Sequence, residues 1–248
     1  MRCIKIDQYK KPQICIPLTG KNLEENKEQL RLIIPKDPDM LELRADFLSN
    51  LSDSHYIIKV IKSILDMTDI PLLFTIRSTR EGGEPISLDD LGVMNLLKTV
   101  CAETNIFMID YELESNPKYV KELVAYAKTQ NKKVVLSYHN FKETPMNEEL
   151  IGKVLAMEKN NADHAKIAVM PNNQADVFRL LEVTYKLTSE LSIPLTTMSM
   201  GEIGKISRAL GWIYGSNITF AVGAKSSAPG QIEIEPLRKS IDAIKYVI

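Results

Sequence analysis

Cysteine is scarce in this chain of 248 residues: only Cys3, Cys15 and Cys101 occur, and none belongs to a CxxC pair. An odd number of cysteines without such spacing argues against a disulfide framework and favours buried, reduced thiols. Long apolar runs are also missing, since none approaches the roughly 20 residues that cross a bilayer. The opening residues, MRCIKIDQYKKPQ, lack the apolar segment of a signal peptide. We therefore expect a cytoplasmic protein with no membrane partner.

Neither the net charge nor any sequence motif predicts that the protein binds nucleic acid or a nucleotide. The formal net charge is −1, so there is no basic excess of the kind that binds nucleic acid. No Walker sequence and no GxGxxG occurs, which argues against a nucleotide. The three histidines, His55, His139 and His164, have no metal-ligand spacing, so we expect no metal site. With 44% hydrophobic and 25% charged residues, the composition is that of an ordinary globular protein.

The chain alternates short β-type runs with amphipathic helical segments. Strict alternation indicates a parallel sheet, and eight units in this length favour a closed (β/α)8 TIM barrel over an open sheet. We predict a single barrel domain over residues 1–248, with CIKI (3–6) as a short extra N-terminal strand. The eight predicted strands are QICIPL (13–18), MLELRADF (40–47), PLLFTIRS (71–78), IFMIDYEL (106–113), KVVLSYHNF (133–141), HAKIAVMP (164–171), PLTTMSMG (194–201) and ITFAVGA (218–224).

In these strands one face is apolar, and the other carries polar side chains towards the carboxyl end. Alternate residues of a strand point to opposite faces, and α/β barrels build their sites at the carboxyl ends of the strands. For Asp46, Asp110 and Glu112 the alternative is an ion pair that helps to close the barrel. The polar positions expected to converge are Glu42, Arg44, Asp46, Arg77, Asp110, Glu112, His139 and Lys166.

Lys166 is unusual because Ile167, Ala168, Val169 and Met170 follow it in an apolar strand. A lysine is almost never fully buried without a partner or a function. On a surface strand it would extend to solvent, but an inward position in a barrel removes that option. Burial and nearby cations would disfavour the ammonium form. A neutral amine forms imines with ketones or aldehydes, so the position predicts Schiff-base catalysis.

His139, at the end of the fifth strand and beside the sixth, is the predicted general acid and base. Histidine has an unperturbed pKa near neutral pH, which suits this role. A lone histidine on a strand is nevertheless more often a satisfied core or rim residue. We expect His55 to be solvated and His164, at the start of the sixth strand, to be structural.

Three arginines, Arg44, Arg77 and Arg208, suit a carboxylate or a phosphate. The glycines of EGGE (81–84) predict a flexible loop after the third strand. Met198 and Met200 face inward on the seventh strand, either as core filling or as pocket lining. The segment KSSAPGQ, after the eighth strand, offers Ser226, Ser227 and Gln231 for hydroxyl or carboxylate contacts.

Six segments at the strand–helix junctions carry a resemblance to a known family. They are ELRAD, FTIRSTREGGE, SYHNF, AKIAVMP, MSMGEIGKISR and SAPGQ, in order from about residue 13 to 240. Together they resemble the type I 3-dehydroquinate dehydratases of the shikimate pathway. Each segment alone is weak, but six in order are specific. The resemblance implies the substrate 3-dehydroquinate, a homodimer, no metal and no cofactor.

The resemblance also implies roles for individual residues. Lys166 looks like the lysine that forms an imine with the C3 ketone, and His139 like the base that takes the C2 proton and then helps the C1 hydroxyl leave. The elimination would be syn and give 3-dehydroshikimate. Glu81 resembles the carboxylate that orients the histidine, and Arg208 the clamp on the substrate carboxylate. Ring-hydroxyl and pocket contacts are implied for Glu42, Arg44, Arg77, Ser227 and Gln231, whereas the part played by Thr19 stays open.

Two other functions are compatible with parts of this pattern. A class I aldolase would share Lys166 but would break a C–C bond, and it usually needs a phosphate site after the seventh and eighth strands. KSSAPGQ has few glycines for such a site. A barrel that merely binds a carboxylated metabolite would not require both Lys166 and His139.

Overall fold

The computed structural model describes residues 11–225 and 227–247. Strands and helices alternate along them as the sequence predicts, which confirms the (β/α)8 barrel class. The strands are β1 (Gln13–Leu18), β2 (Met40–Arg44), β3 (Leu72–Thr75), β4 (Met108–Glu112), β5 (Lys133–Asn140), β6 (His164–Val169), β7 (Leu195–Ser199), β8 (Ile218–Val222) and β9 (Ile232–Glu233). The helices are α1 (Leu23–Ile33), α2 (Ser54–Leu65), α3 (Asp90–Glu103), α4 (Pro117–Thr129), α5 (Asn147–Lys159), α6 (Gln174–Glu190), α7 (Gly201–Leu210) and α8 (Ile234–Val247).

The structure differs from the sequence-based expectation at a few strand ends. β2 ends at Arg44 rather than at residue 47, because residues 45–47 form a 3-10 turn. β3 ends at Thr75, so Arg77 lies just beyond its strand. The two-residue β9, which pairs with β8, was not predicted. The predicted strand at 3–6 lies outside the described residues, as do Cys3 and Ser226.

The strands form one parallel sheet in the order β7-β6-β5-β4-β3-β2-β1-β8-β9. The curled sheet brings β7 next to β8, where side-chain hydroxyls supply part of the closure. Thr196 Oγ1 accepts the backbone N–H of Ile218 at 3.1 Å. Ser216 Oγ accepts the N–H of Thr197 at 3.0 Å and donates to its carbonyl at 3.1 Å. These bonds satisfy backbone groups that would otherwise be buried without partners.

Apolar side chains fill two regions, on opposite faces of the strands. Between the barrel and the helices lies the larger core, in which Ile16, Leu43 and Phe74 are fully buried. Each such side chain contributes about 1.5–3 kcal/mol relative to an exposed one. The alternation read from the sequence therefore assigns the two faces correctly. The smaller cluster fills the barrel itself and contains Cys15, Met40, Leu73, Met108, Val135, Ala168, Met198, Met200, Ile218 and Phe220.

Polar side chains define where five of the helices begin. Asn22, Asp53, Asp89, Asn116 and Asn173 each accept a backbone N–H from the first turn of the helix that follows. Such a cap stabilises a helix by about 1 kcal/mol. The caps fix the start of each helix after a strand–helix loop, and these loops surround the carboxyl ends of the strands.

Within the two described ranges, no helix is long and apolar enough to cross a membrane. The extent of the domain, residues 1–248, stays a prediction.

Candidate active site

Polar side chains from several strands meet in one pocket at the carboxyl ends of the strands. The structure brings together all the site residues predicted from the sequence, and their roles stay predictions. Of the further candidates, Ser226 is not among the described residues, and Thr19 is buried with its backbone N–H bonded to Gln29. The predicted residues that line the pocket are Lys166, His139, Glu81, Glu42, Arg44, Arg77, Met198, Met200, Arg208, Ser227 and Gln231.

Lys166 projects from β6 into the barrel and is only 5% exposed. Its Nζ lies 3.1 Å from Asp110 Oδ2 and 3.7 Å from Glu42 Oε1. The ring of Phe220 is 4.4 Å away, close enough for a cation–π contact. Besides the cations expected nearby, two carboxylates on alternate strands contact this amine. Lys166 is therefore held in a buried ion pair beside the pocket.

His139, at the end of β5, pairs with Glu81 from the 3-10 turn after β3. Glu81 Oε2 lies 2.7 Å from Nδ1 of the imidazole and accepts the backbone N–H of His139 at 3.1 Å. Because Nδ1 faces Glu81, Nε2 lies on the pocket side of the ring. Burial, with the cations Arg77 and Lys166, holds the pKa of His139 well below its ordinary value. Burial and the neighbouring Glu112 raise the pKa of Glu81 to about 8.

Arg77 is the centre of an ion-pair network inside the barrel. Its guanidinium lies 2.8 Å from Asp110, 3.2 Å from Glu112 and 3.6 Å from Glu81. It also donates to Ser137 Oγ at 2.9 Å. Burial alone would lower the pKa of Arg77, but the three carboxylates raise it above its ordinary value. Burial alone would raise the pKa of Asp110, but Arg77 and Lys166 lower it below its usual range.

A second pair, Arg44 and Asp46, borders the pocket at the end of β2. Arg44 donates to both carboxylate oxygens, from Nε at 2.9 Å and from Nη2 at 2.7 Å. Asp46 also accepts the backbone N–H groups of Arg77 and Glu84 at 3.3 and 3.2 Å. Asp46 thus ties the loop after β3 to the end of β2.

The glycines of EGGE allow close packing at this point. Gly82 has φ +82°, and a Cβ there would lie 2.3 Å from ring atoms of Phe141. A Cβ on Gly83 would lie 2.0 Å from the carbonyl oxygen of Arg77. Only glycine fits both positions without movement of the pocket wall. The flexibility expected for this loop stays a prediction.

Arg208, on α7, is a buried guanidinium whose partners are neutral. Its nitrogens contact Pro229 O at 3.1 Å, and Phe220 O and Met198 Sδ at 3.5 Å. Within residues 11–225 and 227–247, Nε has no hydrogen-bond partner and no carboxylate lies within 4 Å of the side chain. Burial lowers the pKa of Arg208 to about 10. A buried cation without a counter-ion is costly, and an anionic ligand would relieve that cost.

The segment between β8 and α8 covers the same side of the pocket. Gln231 Oε1 accepts the backbone N–H of Ser227 at 2.8 Å, and its Nε2 donates to Ser227 Oγ at 3.1 Å. Gly201, at the start of α7, donates its N–H to Pro229 O at 3.3 Å. These contacts place Ser227 and Gln231 beside Arg208.

The predicted site did not include every side chain that lines or adjoins the pocket. Phe141 and Phe220 form apolar walls, and Asp110 contacts Lys166 directly. The signal for Asp110 was present, because it shares the inward face of its strand, but an ion pair for barrel closure was the preferred interpretation. Phe220 could have been predicted because it lies on the face of β8 opposite to Thr219 and Ala221, which is the inward face.

The sequence and the fold of this chain are similar to those of known proteins. Residues 14–246 match the family model described as type I 3-dehydroquinase. Over 237 residues the chain is 44% identical to the 3-dehydroquinate dehydratase of Albidiferax ferrireducens, covering 95% of this chain and 90% of that protein. The crystal structure of 3-dehydroquinate dehydratase from Geobacillus kaustophilus is similar with a TM-score of 0.93 at 38% identity, covering 95% of this chain and 92% of the other. A type I 3-dehydroquinate dehydratase from Clostridium difficile, solved with covalently modified comenic acid, has a TM-score of 0.91 at 34% identity, with coverages of 96% and 94%.

Proposed function

The chain belongs to the type I 3-dehydroquinase family, and from this premise we propose that it removes water from 3-dehydroquinate through an imine on Lys166, with His139 as general acid and base. The product is 3-dehydroshikimate, and the reaction is a step of the shikimate pathway. The observation that carries the mechanism is the buried amine of Lys166 two positions from His139 on the adjacent strand, since Lys166 pairs with Ser137 and His139 with Ala168.

In the first step the ammonium of Lys166 releases one proton, and the resulting neutral amine attacks the C3 ketone. The released proton and one N–H proton leave with the ketone oxygen as water, and a C=N bond joins C3 to the singly protonated Nζ. The protonated imine is a cation, like the ammonium that it replaces. Asp110 and Glu42, both within 4 Å of Nζ, offset that charge.

In the second step His139 takes a proton from C2, and the electrons of the C–H bond flow towards the iminium nitrogen. Glu81 holds Nδ1 of the imidazole at 2.7 Å, so Nε2 is the nitrogen that acts on substrate. The protonated imidazole then gives the proton to the C1 hydroxyl, which leaves as water while a C1–C2 double bond forms. One group serves both transfers, so the elimination is syn.

Hydrolysis of the imine completes the cycle. Water adds to C3, the C–N bond breaks, and the Lys166 amine is restored with release of the conjugated enone. No electrons are gained or lost overall, so the proposed chemistry requires no redox cofactor.

Substrate recognition follows from the charges of the pocket. The guanidinium of Arg208 binds the C1 carboxylate, because it has the fork geometry for a carboxylate and lacks a carboxylate partner among the described residues. Glu42, Arg44 and Arg77 face the ring hydroxyls. Ser227 and Gln231 close the pocket from the β8–α8 segment, and Met198 and Met200 form its apolar floor.

Two measurements on the parent protein test the proposal. With 3-dehydroquinate, ultraviolet absorbance should report a conjugated enone, whereas an aldolase or a binding protein would produce none. Borohydride added during turnover should reduce the imine, and peptide mass spectrometry should find the adduct on Lys166. An enzyme that forms the enone without this adduct would exclude the imine mechanism.

We also propose that the protein is a homodimer in the cytoplasm. The family resemblance supports the dimer, and exposed Phe178, Tyr185 and Ile206 supply apolar surface. The free, buried thiols of Cys15 and Cys101 support a reducing compartment. Light scattering coupled to gel filtration should give twice the mass of one chain.

A further inference from the structure

We propose that Asp110 is a further catalytic residue of this site, which holds the Lys166 nitrogen in position and keeps it charged as an iminium. The inference rests on the proposed imine mechanism and extends it to a residue for which the sequence predicted no catalytic or binding role. Asp110 contacts the reacting atom itself, since its Oδ2 lies 3.1 Å from Nζ.

The contact arises from the layered interior of the barrel. In a closed barrel of this kind, the side chains of one layer come from alternate strands. Asp110 on β4 and Lys166 on β6 are separated by β5, and they meet inside the barrel. Glu42 on β2 and Phe220 on β8 complete the layer, at 3.7 and 4.4 Å from Nζ. The layer therefore combines one amine, two carboxylates and one aromatic ring.

Asp110 is held more rigidly than an ordinary surface carboxylate. Its side chain is buried, and Oδ1 accepts the hydroxyl of Ser137 at 2.6 Å and lies 2.8 Å from Arg77. Oδ2 is thereby directed at Lys166. Glu42 lies farther from Nζ, and its Oε1 also accepts the hydroxyl of Thr75 at 2.9 Å. A charge fixed in advance stabilises a reacting cation without reorganisation, so Asp110 is the stronger of the two counter-ions.

The chemical consequence concerns the C2 proton. A protonated imine withdraws electrons from the C2–H bond more strongly than a neutral imine does, so only the charged form is acidified enough to react. An opposite charge within about 4–6 Å shifts a titration by about 1–3 pH units. Asp110 thus extends the pH range over which the imine stays protonated. Other titratable groups around Lys166 are Cys15, Glu42, Arg44, Arg77, Glu81, Glu112, His139 and His164, from the strands and from the loop after β3.

The test compares Asp110→Asn with the parent protein from pH 6 to 9. The substitution keeps the shape and the acceptor for Ser137 but removes the charge. We expect the alkaline limb of kcat to move to lower pH by about 1–3 pH units, so that kcat falls more on the alkaline side than at pH 6. Borohydride should still trap the Lys166 adduct at pH 6.

Asp163→Asn is the matched control. Asp163 accepts the backbone N–H of Val134 at 2.9 Å, at the start of β5 and far from the pocket. The pH profile of kcat for Asp163→Asn should coincide with that of the parent. A damaged fold would instead lower kcat equally at every pH.

An Asp110→Asn variant with the alkaline limb of the parent would overturn the inference, whatever its absolute rate. If circular dichroism shows that this variant does not fold, Ser137→Ala decides instead, because it frees Oδ1 and keeps the carboxylate. The alkaline limb of kcat for Ser137→Ala should also move to lower pH. A limb at the position of the parent would reject the proposed role of Asp110. Failure of the parent to form any adduct would reject the proposed function itself, which is a separate result.

Discussion

Glu81 Oε2 contacts His139 twice, at 2.7 Å from Nδ1 and at 3.1 Å from the backbone nitrogen. The two contacts orient the imidazole and make its protonation depend on Glu81. While the Glu81 carboxyl is protonated, the Glu81–His139 pair holds two protons. Nε2 carries one of them, whether the other lies on Glu81 or on Nδ1. Loss of one proton leaves Nδ1–H donating to a carboxylate and Nε2 free as a base. The pair therefore becomes a base as Glu81 ionises, with a pKa of about 8.

The pH dependence of kcat/KM should reflect this pair. We expect an ascending limb with a midpoint near pH 8, because kcat/KM reports groups of the free enzyme. In Glu81→Gln the side chain cannot ionise, so His139 titrates alone with its lowered pKa and the limb moves to lower pH. The maximum rate should fall about tenfold or more, since the isolated imidazole is a weaker base. An unchanged limb in the variant would exclude Glu81 as the controlling group.

The same carboxyl should also affect stability. Its pKa is about 8 in the folded protein, against about 4.3 in an unfolded chain. As pH rises between these values the unfolded chain ionises first, so Glu81 contributes stability at low pH that is lost as pH approaches 8. Glu81→Gln should match the parent near pH 4 and melt higher at pH 8, by at least about 2–4 °C, the shift expected for about 1 kcal/mol. Thermal melts at the two pH values measure the difference.

Lys166→Ala and His139→Ala should separate imine formation from proton transfer. Without the amine no adduct forms and turnover is lost. Without the imidazole the borohydride adduct on Lys166 still forms, while dehydration slows by about 10²–10⁴-fold. Mass spectrometry and the enone assay, run on the same samples, distinguish the two. A His139→Ala variant with nearly normal turnover would remove it as the base.

Arg208→Met should weaken binding without a loss of stability. The guanidinium has no carboxylate partner among the described residues, so its removal leaves no unpaired anion behind. A buried cation replaced by an apolar side chain of similar length is often neutral or stabilising. We expect kcat/KM to fall by about 10²-fold or more, as for loss of one partner of a buried charge pair, and the melting temperature of the free enzyme to stay level or rise. A marked drop in melting temperature would show that the hydrogen bonds of Arg208 to the Pro229 and Phe220 carbonyls stabilise the fold.

Gly82→Ala should damage the fold and the site together. The added Cβ meets the ring of Phe141 at 2.3 Å, and the positive φ is unfavourable for alanine. The expected destabilisation is about 1–3 kcal/mol, and the shift of the adjacent Glu81 should also lower kcat. Gly152→Ala is the control, because nothing lies within 4 Å of its Cβ position on α5. That variant should gain about 0.5–1 kcal/mol, as chemical denaturation would show.

Local sequence patterns were sufficient to predict the architecture. Apolar runs alternated with helical spacing, and residue alternation assigned Lys166 to the barrel interior. The strand ends were less accurate, because the 3-10 turn at 45–47 follows from the bonds that Asp46 makes to the next loop. Those bonds join residues more than 30 positions apart, and no local pattern contains them.

By itself the sequence determined the barrel, the inward lysine, the adjacent histidine and the arginines, since these depend on spacing along one strand and on strand order. Only the tertiary structure decided that Asp110 and Glu42 contact Lys166 and that Arg208 lacks a carboxylate partner among the described residues. The physical reason is the stagger of the strands in a closed barrel. This stagger determines which side chains of non-adjacent strands lie in the same layer. Alternation along a strand gives the face of each residue but not its height in the barrel.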